Sequence, residues 1–355
     1  MLARMVPGES VFHPEALGGA REGFEAEPET EPSLRPRSLD EFVGQTRIVE
    51  NLRIALQAAR GRGEPPDHVL FSGPPGLGKT SLARVLAAEL GTQLHSTSGP
   101  ALERPKDLVG LLTQLKRGDV FFIDEVHRIP AALEEYLYTG MEDFSIDFTL
   151  DQGPHARVIT LNVARFMLVG ATTREGLLSA PFRARFGHLE RFEPYPEAEL
   201  VQILARAARI LAVGLDPAAA RELAARSRGT PRVANRFLRW ARDLAQVRGG
   251  TTVDRDLALE TLERHGVDEH GLEEMDRRVL RTLAQGGGPV GIKTIAAATG
   301  ETEDTIEEVF EPHLLRKGFV QKTARGRVLT ARGYRVIGAR APDERPAGGG
   351  LFDRE

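Results

Sequence analysis

The run Gly73-Pro-Pro-Gly-Leu-Gly-Lys-Thr80 fits GxxxxGK[ST] and admits few folds, because it works only between a buried strand and the start of a helix. Gly73, Gly76 and Gly78 allow backbone conformations that a β-carbon would block, so successive N–H groups can converge on phosphate oxygens. Lys79 adds a point charge for the β and γ phosphates, the Thr80 hydroxyl is a ligand for Mg²⁺, and the helix that follows turns its positive end toward the anion. His68-Val-Leu-Phe71 is short and apolar, as a buried parallel strand should be. Ser81-Leu-Ala-Arg-Val-Leu-Ala-Ala-Glu-Leu90 has helical spacing of its apolar residues and a stop at Gly91. The run predicts an ATP site on a parallel α/β sheet.

A second strand signal brings acids to the same edge. Asp119-Val-Phe-Phe-Ile-Asp-Glu125 places four apolar residues before two carboxylates. Asp124 suits the Mg²⁺, and Glu125 suits the water that attacks the γ phosphate. The second carboxylate favours hydrolysis over simple binding. Phe166-Met-Leu-Val-Gly-Ala-Thr-Thr173 is a further apolar strand ending in hydroxyls, of which Thr173 is the preferred partner for that water; alone, the pair reads equally well as a strand-end cap. Thr230-Pro231 is a helix-start signal with Thr230 as N-cap, so Arg232 projects from a helix amino terminus.

The chain has 355 residues, enough for two or three domains, and its 41% hydrophobic content suffices for ordinary cores. Its net charge of −4 gives no overall signal for nucleic acid, so any such signal must be local. There are no cysteines, which excludes disulfides and thiolate metal sites. Without a bilayer-length apolar run or a signal-peptide core, a cytoplasmic, membrane-free protein is expected. Residues 1–33 carry seven glutamates and read as a flexible acidic arm. Strands alternate with helices over 34–194, the pattern is helical over 195–266, a compact segment of helices and strands fills 267–340, and 341–355 reads as a disordered tail.

Two segments outside the ATP motifs carry further signals. Ile146-Asp-Phe-Thr-Leu150 and Ile159-Thr-Leu-Asn-Val163 alternate on either side of Gly153-Pro154, which predicts a β-hairpin. From Arg316 to Arg340 the charged residues are Arg316, Lys317, Lys322, Arg325, Arg327, Arg332, Arg335 and Arg340, with no acid among them. Gly318-Phe-Val-Gln-Lys322 and Gly326-Arg-Val-Leu-Thr330 read as strands around Thr323-Ala-Arg325, after helices near Ile292–Ala298 and Thr305–Leu315. A basic hairpin behind helices fits a winged-helix domain making sequence-independent phosphate contacts.

The motif order resembles the AAA+ ATPases. More narrowly, Leu34-Arg-Pro-Arg-Ser-Leu-Asp-Glu-Phe-Val-Gly-Gln45, Thr97-Ser-Gly-Pro100, Phe122-Ile-Asp-Glu-Val-His-Arg128, Met141-Glu-Asp-Phe144, Gly170-Ala-Thr-Thr-Arg174, Arg185-Phe-Gly187 and Arg228-Gly-Thr-Pro-Arg232 are similar to the RuvB family of Holliday-junction branch-migration motors, over about Leu34 to Gly338. The resemblance implies an AAA+ P-loop parallel-sheet domain, an all-helical lid and a C-terminal winged-helix domain. It puts Leu34 and Arg35 at the adenine, Gly76, Gly78, Lys79, Thr80 and Ser81 at the phosphates, and Thr80 and Asp124 at Mg²⁺. Glu142, Asp143 and Phe144 with Tyr195 close the nucleotide pocket, Arg232 is the lid's sensor, and Arg185 is a finger reaching a neighbouring subunit's ATP. Lys322, Arg325 and Arg327 meet duplex DNA. The implied assembly is a homo-hexamer working with RuvA, docked through hairpin 145–163, and with the RuvC resolvase. Lys322, Ala324 and Glu303 depart from the family run, standing where arginine, proline and arginine are usual. A clamp loader, an unfoldase or a small-molecule kinase would use a similar core, and a DNA-binding regulator could use ATP as a switch alone.

Overall fold

The computed structural model describes residues 34–149 and 158–341. The acidic arm, the Gly-Pro turn of the hairpin and the tail beyond 341 lie outside the described residues.

Seven strands form the first domain: β1 (Val69–Ser72), β2 (Leu94–Ser98), β3 (Val120–Asp124), β4 (Ser145–Thr149), β5 (Val158–Asn162), β6 (Met167–Thr172) and β7 (His188–Arg191). Five of them make a parallel sheet in the order β2-β3-β6-β1-β7. β1 and β6 are buried along their whole length, which is why neither shows period-two alternation in sequence. Their ends are level, with Ser72 opposite Thr172, and β3 ends at Asp124, so the carboxyl ends of three interior strands open on one edge. Ligands of open α/β sheets bind at that edge. β1 begins one residue later than its apolar run suggests, and the ring of the preceding His68 accepts the Leu168 N–H at its Nδ1 at 2.9 Å.

Helix Lys79–Leu90 starts two residues earlier than its apolar spacing indicates, which places Lys79 and Thr80 in its first turn, and ends on Gly91 at φ 69°. β4 and β5 pair antiparallel as a hairpin, Ser145 opposite Asn162 and Thr149 opposite Val158. Ile146 is buried beneath it, while β5 alternates between exposed and half-buried positions.

The lid consists of helices Glu197–Ile210, Pro217–Arg226, Pro231–Val247 and Arg255–Arg264, with a two-residue parallel strand pair, Gly214–Leu215 and Thr252–Val253, that helical periodicity alone did not reveal. Leu200, Leu204, Leu223, Phe237 and Leu262 of the lid form one continuous apolar cluster with Phe71, Leu82 and Leu86 of the first domain. The winged-helix domain has a separate core around Leu280, Ile295, Phe319 and Leu329. Its helices are Glu274–Gly286, Ile292–Thr299, a third running from Glu303 to Arg316 with a π-helical stretch at Ile306–Phe310, and a short one, Ala331–Val336, after the wing. Wing strands Val320–Thr323 and Gly326–Leu329 meet across the two-residue turn Ala324-Arg325.

Polar contacts tie this domain to the rest. Arg228, at φ 59°, donates to both carboxylate oxygens of the fully buried Asp276, at 3.2 and 2.5 Å, and its Nε donates to Gly271 O at 2.7 Å. Burial raises the Asp276 pKa against the pull of Arg228. Removing one partner of such a pair strands a buried charge and costs roughly 3–5 kcal/mol.

Candidate nucleotide site

Gly73, Gly76 and Gly78 all have positive φ, at 128°, 78° and 105°. Space also demands glycine: a β-carbon on Gly73 would lie 2.6 Å from Phe192 O, and one on Gly76 would lie 2.8 Å from Thr230 Cγ2. The loop is thus pinned between the sheet and the lid. A cavity of about 650 Å³ opens above it, lined by Leu34, Arg35, Gly76, Gly78, Lys79, Thr80, Ser81, Asp124, Glu125, Thr173, Tyr195 and Arg232.

Lys79 is 7% exposed, and its Nζ donates to Gly73 O at 2.6 Å and Pro74 O at 2.9 Å. Burial pushes its pKa down to about 8, opposed by Asp124. Thr80 Oγ1 donates to Asp124 Oδ2 at 3.3 Å, and Asp124 Oδ1 accepts the Glu125 N–H at 2.9 Å. Hydroxyl and carboxylate so placed form a donor set that suits Mg²⁺, which keeps one or two protein oxygens and takes the rest from phosphate and water. Glu125 leaves β3 in a left-handed conformation, φ 48°, and pairs with Arg128 at 3.1 Å.

Because Lys79 is neutral more often as pH rises through about 8, while phosphates favour its charged form, nucleotide binding above that pH takes up a proton. The expected result is ATP affinity that weakens toward about tenfold per pH unit above pH 8, with proton uptake seen by calorimetry in buffers of different ionisation enthalpy. Affinity flat across that range, with no proton uptake, contradicts the assignment of a buried, partly neutral Lys79.

The two threonines at the end of β6 separate clearly. Thr172 is 1% exposed, with its Oγ1 2.9 Å from His127 Nδ1 and accepting the Arg174 N–H at 3.0 Å. Thr173 is the one that faces the cavity. On the lid, Arg232 follows Pro231 at the helix start, and its backbone N–H reaches Gly76 O at 3.4 Å. Thr230 stands at the N-cap with extended backbone, yet its side chain makes no capping bond; the hydroxyl turns back to Arg228 O at 3.5 Å. Tyr195 is buried with its hydroxyl on Leu77 O at 3.2 Å, and burial raises its pKa.

Three placements differ from expectation. Glu142, Asp143 and Phe144 do not line this cavity. Glu142 pairs with Arg185 at 2.8 Å, Phe144 packs edge-on to Phe166, and the Arg185 guanidinium lies 4.1 Å over the Tyr138 ring. Glu142 ends helix Ala131–Glu142, and Asp143 and Phe144 follow it, so the end of that helix packs by Arg185 and Phe166 instead of by the cavity. Second, Arg327 is buried: its Nε donates to Glu311 at 2.5 Å and its NH2 to Glu307 at 2.5 Å, so it is not presented to a phosphate. Third, Lys322 is half-exposed but paired with Glu307 at 3.3 Å and Glu311 at 3.6 Å. Arg325, at the exposed wing turn, faces solvent.

Arg206 is a site residue that sequence reasoning missed. From lid helix Glu197–Ile210 it donates to Leu34 O and Arg35 O, both at 2.9 Å, and to Glu41 at 2.9 Å, clamping the Leu34-Arg35 segment at the cavity wall. Phe42, Ile203, Asn235 and Arg239 line the cavity as well. Of these, Phe42 alone falls within a run that carries the family resemblance.

Residues 34–192 match the model for the Holliday junction DNA helicase RuvB P-loop domain, 195–268 that for the RuvB AAA lid domain and 269–338 that for the RuvB C-terminal winged helix domain. The chain belongs to the RuvB family. Among curated relatives, the Holliday junction branch migration complex subunit RuvB of Myxococcus xanthus is 57% identical over 88% of this chain and 92% of its own length. That of Rubrobacter xylanophilus is 55% identical over 88% of each. The solved structure of the Thermotoga maritima RuvB Holliday junction branch migration motor superimposes with a TM-score of 0.80 at 46% identity, covering 87% of this chain and 99% of that one. RuvB membership over all three domains sets aside the clamp-loader, unfoldase and kinase readings, and no helix among the described residues is long and apolar enough to cross a membrane.

Proposed function

We propose that this chain is an ATP-hydrolysing motor of Holliday-junction branch migration, acting in recombination and DNA repair as a cytoplasmic hexameric ring with RuvA, in contact with RuvC, and that each ATP site is shared by two subunits. One observation carries the shared site: the cavity gathers Lys79, Thr80, Asp124, Glu125, Thr173 and Arg232, while Arg185 faces another surface of the same subunit. Hydrolysis needs a cation where charge develops on the leaving phosphates, and that cation arrives from the neighbour.

In one subunit Lys79 neutralises the β and γ phosphates, and Thr80 with Asp124 would hold Mg²⁺, which would supply positive charge to offset that of the phosphates. Glu125 accepts a proton from the attacking water, Thr173 orients it, and Arg232 follows the γ phosphate. Arg232 is backbone-linked to Gly76, which couples the lid helix to the phosphate loop and supports lid movement as the output of turnover. Glu142, Asp143 and Phe144 accompany Arg185 toward the neighbouring site. Hairpin 145–163 is the proposed RuvA dock.

Arg325 delivers DNA contact at the wing turn. Arg325→Ala is expected to weaken four-way-junction binding alike for all sequences and lower the salt slope by about one unit, read by fluorescence anisotropy across salt concentrations. The motor reading itself is tested by ATP turnover with RuvA on a four-way junction against plain duplex. Equal turnover on both, with no movement of the branch point, would overturn it.

A further inference from the structure

The third helix of the winged-helix domain carries an acidic stripe at helical spacing, Asp304, Glu307, Glu308 and Glu311, and its two ends have different partners. On one side are the cations of the wing. Glu307 and Glu311 hold Arg327, at 2.5 Å each, and Lys322. On the other side is the edge of the ATP cavity. Asp304 pairs with Arg174 NH2 at 2.7 Å, Glu308 Oε1 with Arg174 Nε at 2.7 Å, and Glu308 Oε2 accepts the Thr173 hydroxyl at 3.1 Å. Glu307 is common to both, lying 3.8 Å from Arg174. The stripe is thus a bridge from the wing to the end of β6.

The contact with Thr173 decides what that hydroxyl can do. A hydroxyl has one hydrogen to donate and two lone pairs that accept. With its hydrogen committed to Glu308, Thr173 faces the cavity as an acceptor. A water has two hydrogens. One directed to Glu125 and the other to Thr173 leaves a lone pair of the water oxygen for the phosphorus, which is the orientation an in-line attack requires. Without Glu308 the Thr173 hydroxyl can rotate and offer its hydrogen to the water instead, turning the lone pair away. Glu308 sits in the π-helical stretch Ile306–Phe310, a local irregularity that recurs at functional positions.

We propose that Glu308, a residue of the winged-helix domain, is a positioning residue of the ATP site that acts by holding the Thr173 hydroxyl as an acceptor toward the attacking water. The proposal rests on the reading of Thr173 as the residue that orients that water. Because the stripe that holds Thr173 also holds Lys322 and Arg327, the water's orientation is set from the domain that meets DNA.

The test is steady-state ATP turnover of the full chain with RuvA and a four-way junction. Glu308→Ala is expected to lower kcat about tenfold, the loss typical of one hydrogen bond to a charged group, with KM for ATP unchanged within about twofold. Glu308→Gln keeps an acceptor oxygen and is expected to recover most of that loss. Asp304→Asn, which disturbs the Arg174 contact but not Thr173, is expected to stay within about twofold of the parent. The inference is overturned by any of three results: parental or higher kcat in Glu308→Ala, Glu308→Gln as slow as Glu308→Ala, or Asp304→Asn as slow as both. Thr173→Val measured beside them separates the failures. A parental kcat there removes the reading of Thr173 and the inference together, whereas a lowered kcat there with parental Glu308→Ala removes the inference alone.

Discussion

Rings assembled wholly from Arg185→Ala subunits are expected to lose ATP turnover by about 10³-fold to 10⁵-fold while retaining nucleotide binding, because the cation they lack acts on charge that develops only during hydrolysis. Arg185 does not line its own subunit's cavity. It is held by Glu142 at 2.8 Å and by the face of Tyr138, and its Nε is buried without a partner. Such a guanidinium is pre-aimed by its surroundings, so Arg185→Lys, which lacks the planar fork, is expected to recover little. The decisive measurement is mixing. Lys79→Ala subunits cannot use their own site but carry an intact Arg185, and Arg185→Ala subunits have the reverse defect. Random mixing at equal amounts creates about a quarter of sites with both parts, so turnover should return to roughly that fraction if the finger acts between subunits. No recovery at any ratio, or full turnover in uniform Arg185→Ala rings, removes the shared site.

The parts of this site that were legible in the sequence are those whose chemistry demands close spacing. Phosphate recognition needs glycines, a lysine and a hydroxyl within one turn, so Gly73 to Thr80 announces itself. The adjacent acids Asp124 and Glu125 do so for the same reason. Contacts made across the fold leave no such trace. Arg206 reaches Leu34 from 172 positions away, and Glu308 reaches Thr173 from 135 positions away. In one dimension both are ordinary charged residues on helices. The basic run of the wing shows the opposite failure. Its charge was evident, but Arg327 is spent on Glu307 and Glu311, and whether a cation is paired is fixed by packing that the run does not contain. Glu142 to Phe144 were grouped with the pocket by resemblance, and the fold instead puts Glu142 against Arg185, away from the cavity lining, a placement the sequence run does not contain.

The kinds of packing between the domains also differ, with consequences for what moves. The lid is joined to the sheet by a shared apolar core, so it can turn as a body only while that core stays closed. The winged-helix domain has its own core and meets the others through ion pairs and hydrogen bonds at Arg174, Arg228 and Arg236. Polar contacts of this kind can be exchanged for others without opening apolar surface to water. Arg228 and Arg232 sit at the two ends of Arg228-Gly-Thr-Pro-Arg232, the first on Asp276 of the winged-helix domain and the second at the cavity. Five residues of chain thus join the cavity to the buried ion pair that holds the winged-helix domain.

Glu125→Gln should separate binding from chemistry. The substitution keeps the size of the side chain and one acceptor oxygen but cannot take a proton, so turnover is expected to fall about 10²-fold to 10⁴-fold. ATP affinity should stay within a few-fold, since Lys79, Thr80 and Asp124, the residues proposed for the phosphates and Mg²⁺, are untouched. The geometry sharpens the expectation. Glu125 is set apart from Asp124 by its left-handed backbone, so one carboxylate bonds Thr80 while the other turns toward Arg128. Asp124→Asn is accordingly expected to weaken Mg²⁺-dependent nucleotide binding as well as turnover. Single-turnover hydrolysis and equilibrium binding of a slowly hydrolysed ATP analogue distinguish the two variants. If Glu125→Gln turned over within about tenfold of the parent, another group would have to be the base, since a positioned general base contributes more than that. If it lost affinity and turnover together, as Asp124→Asn should, the two carboxylates would share one role, and the division of labour drawn from their opposite orientations would fail.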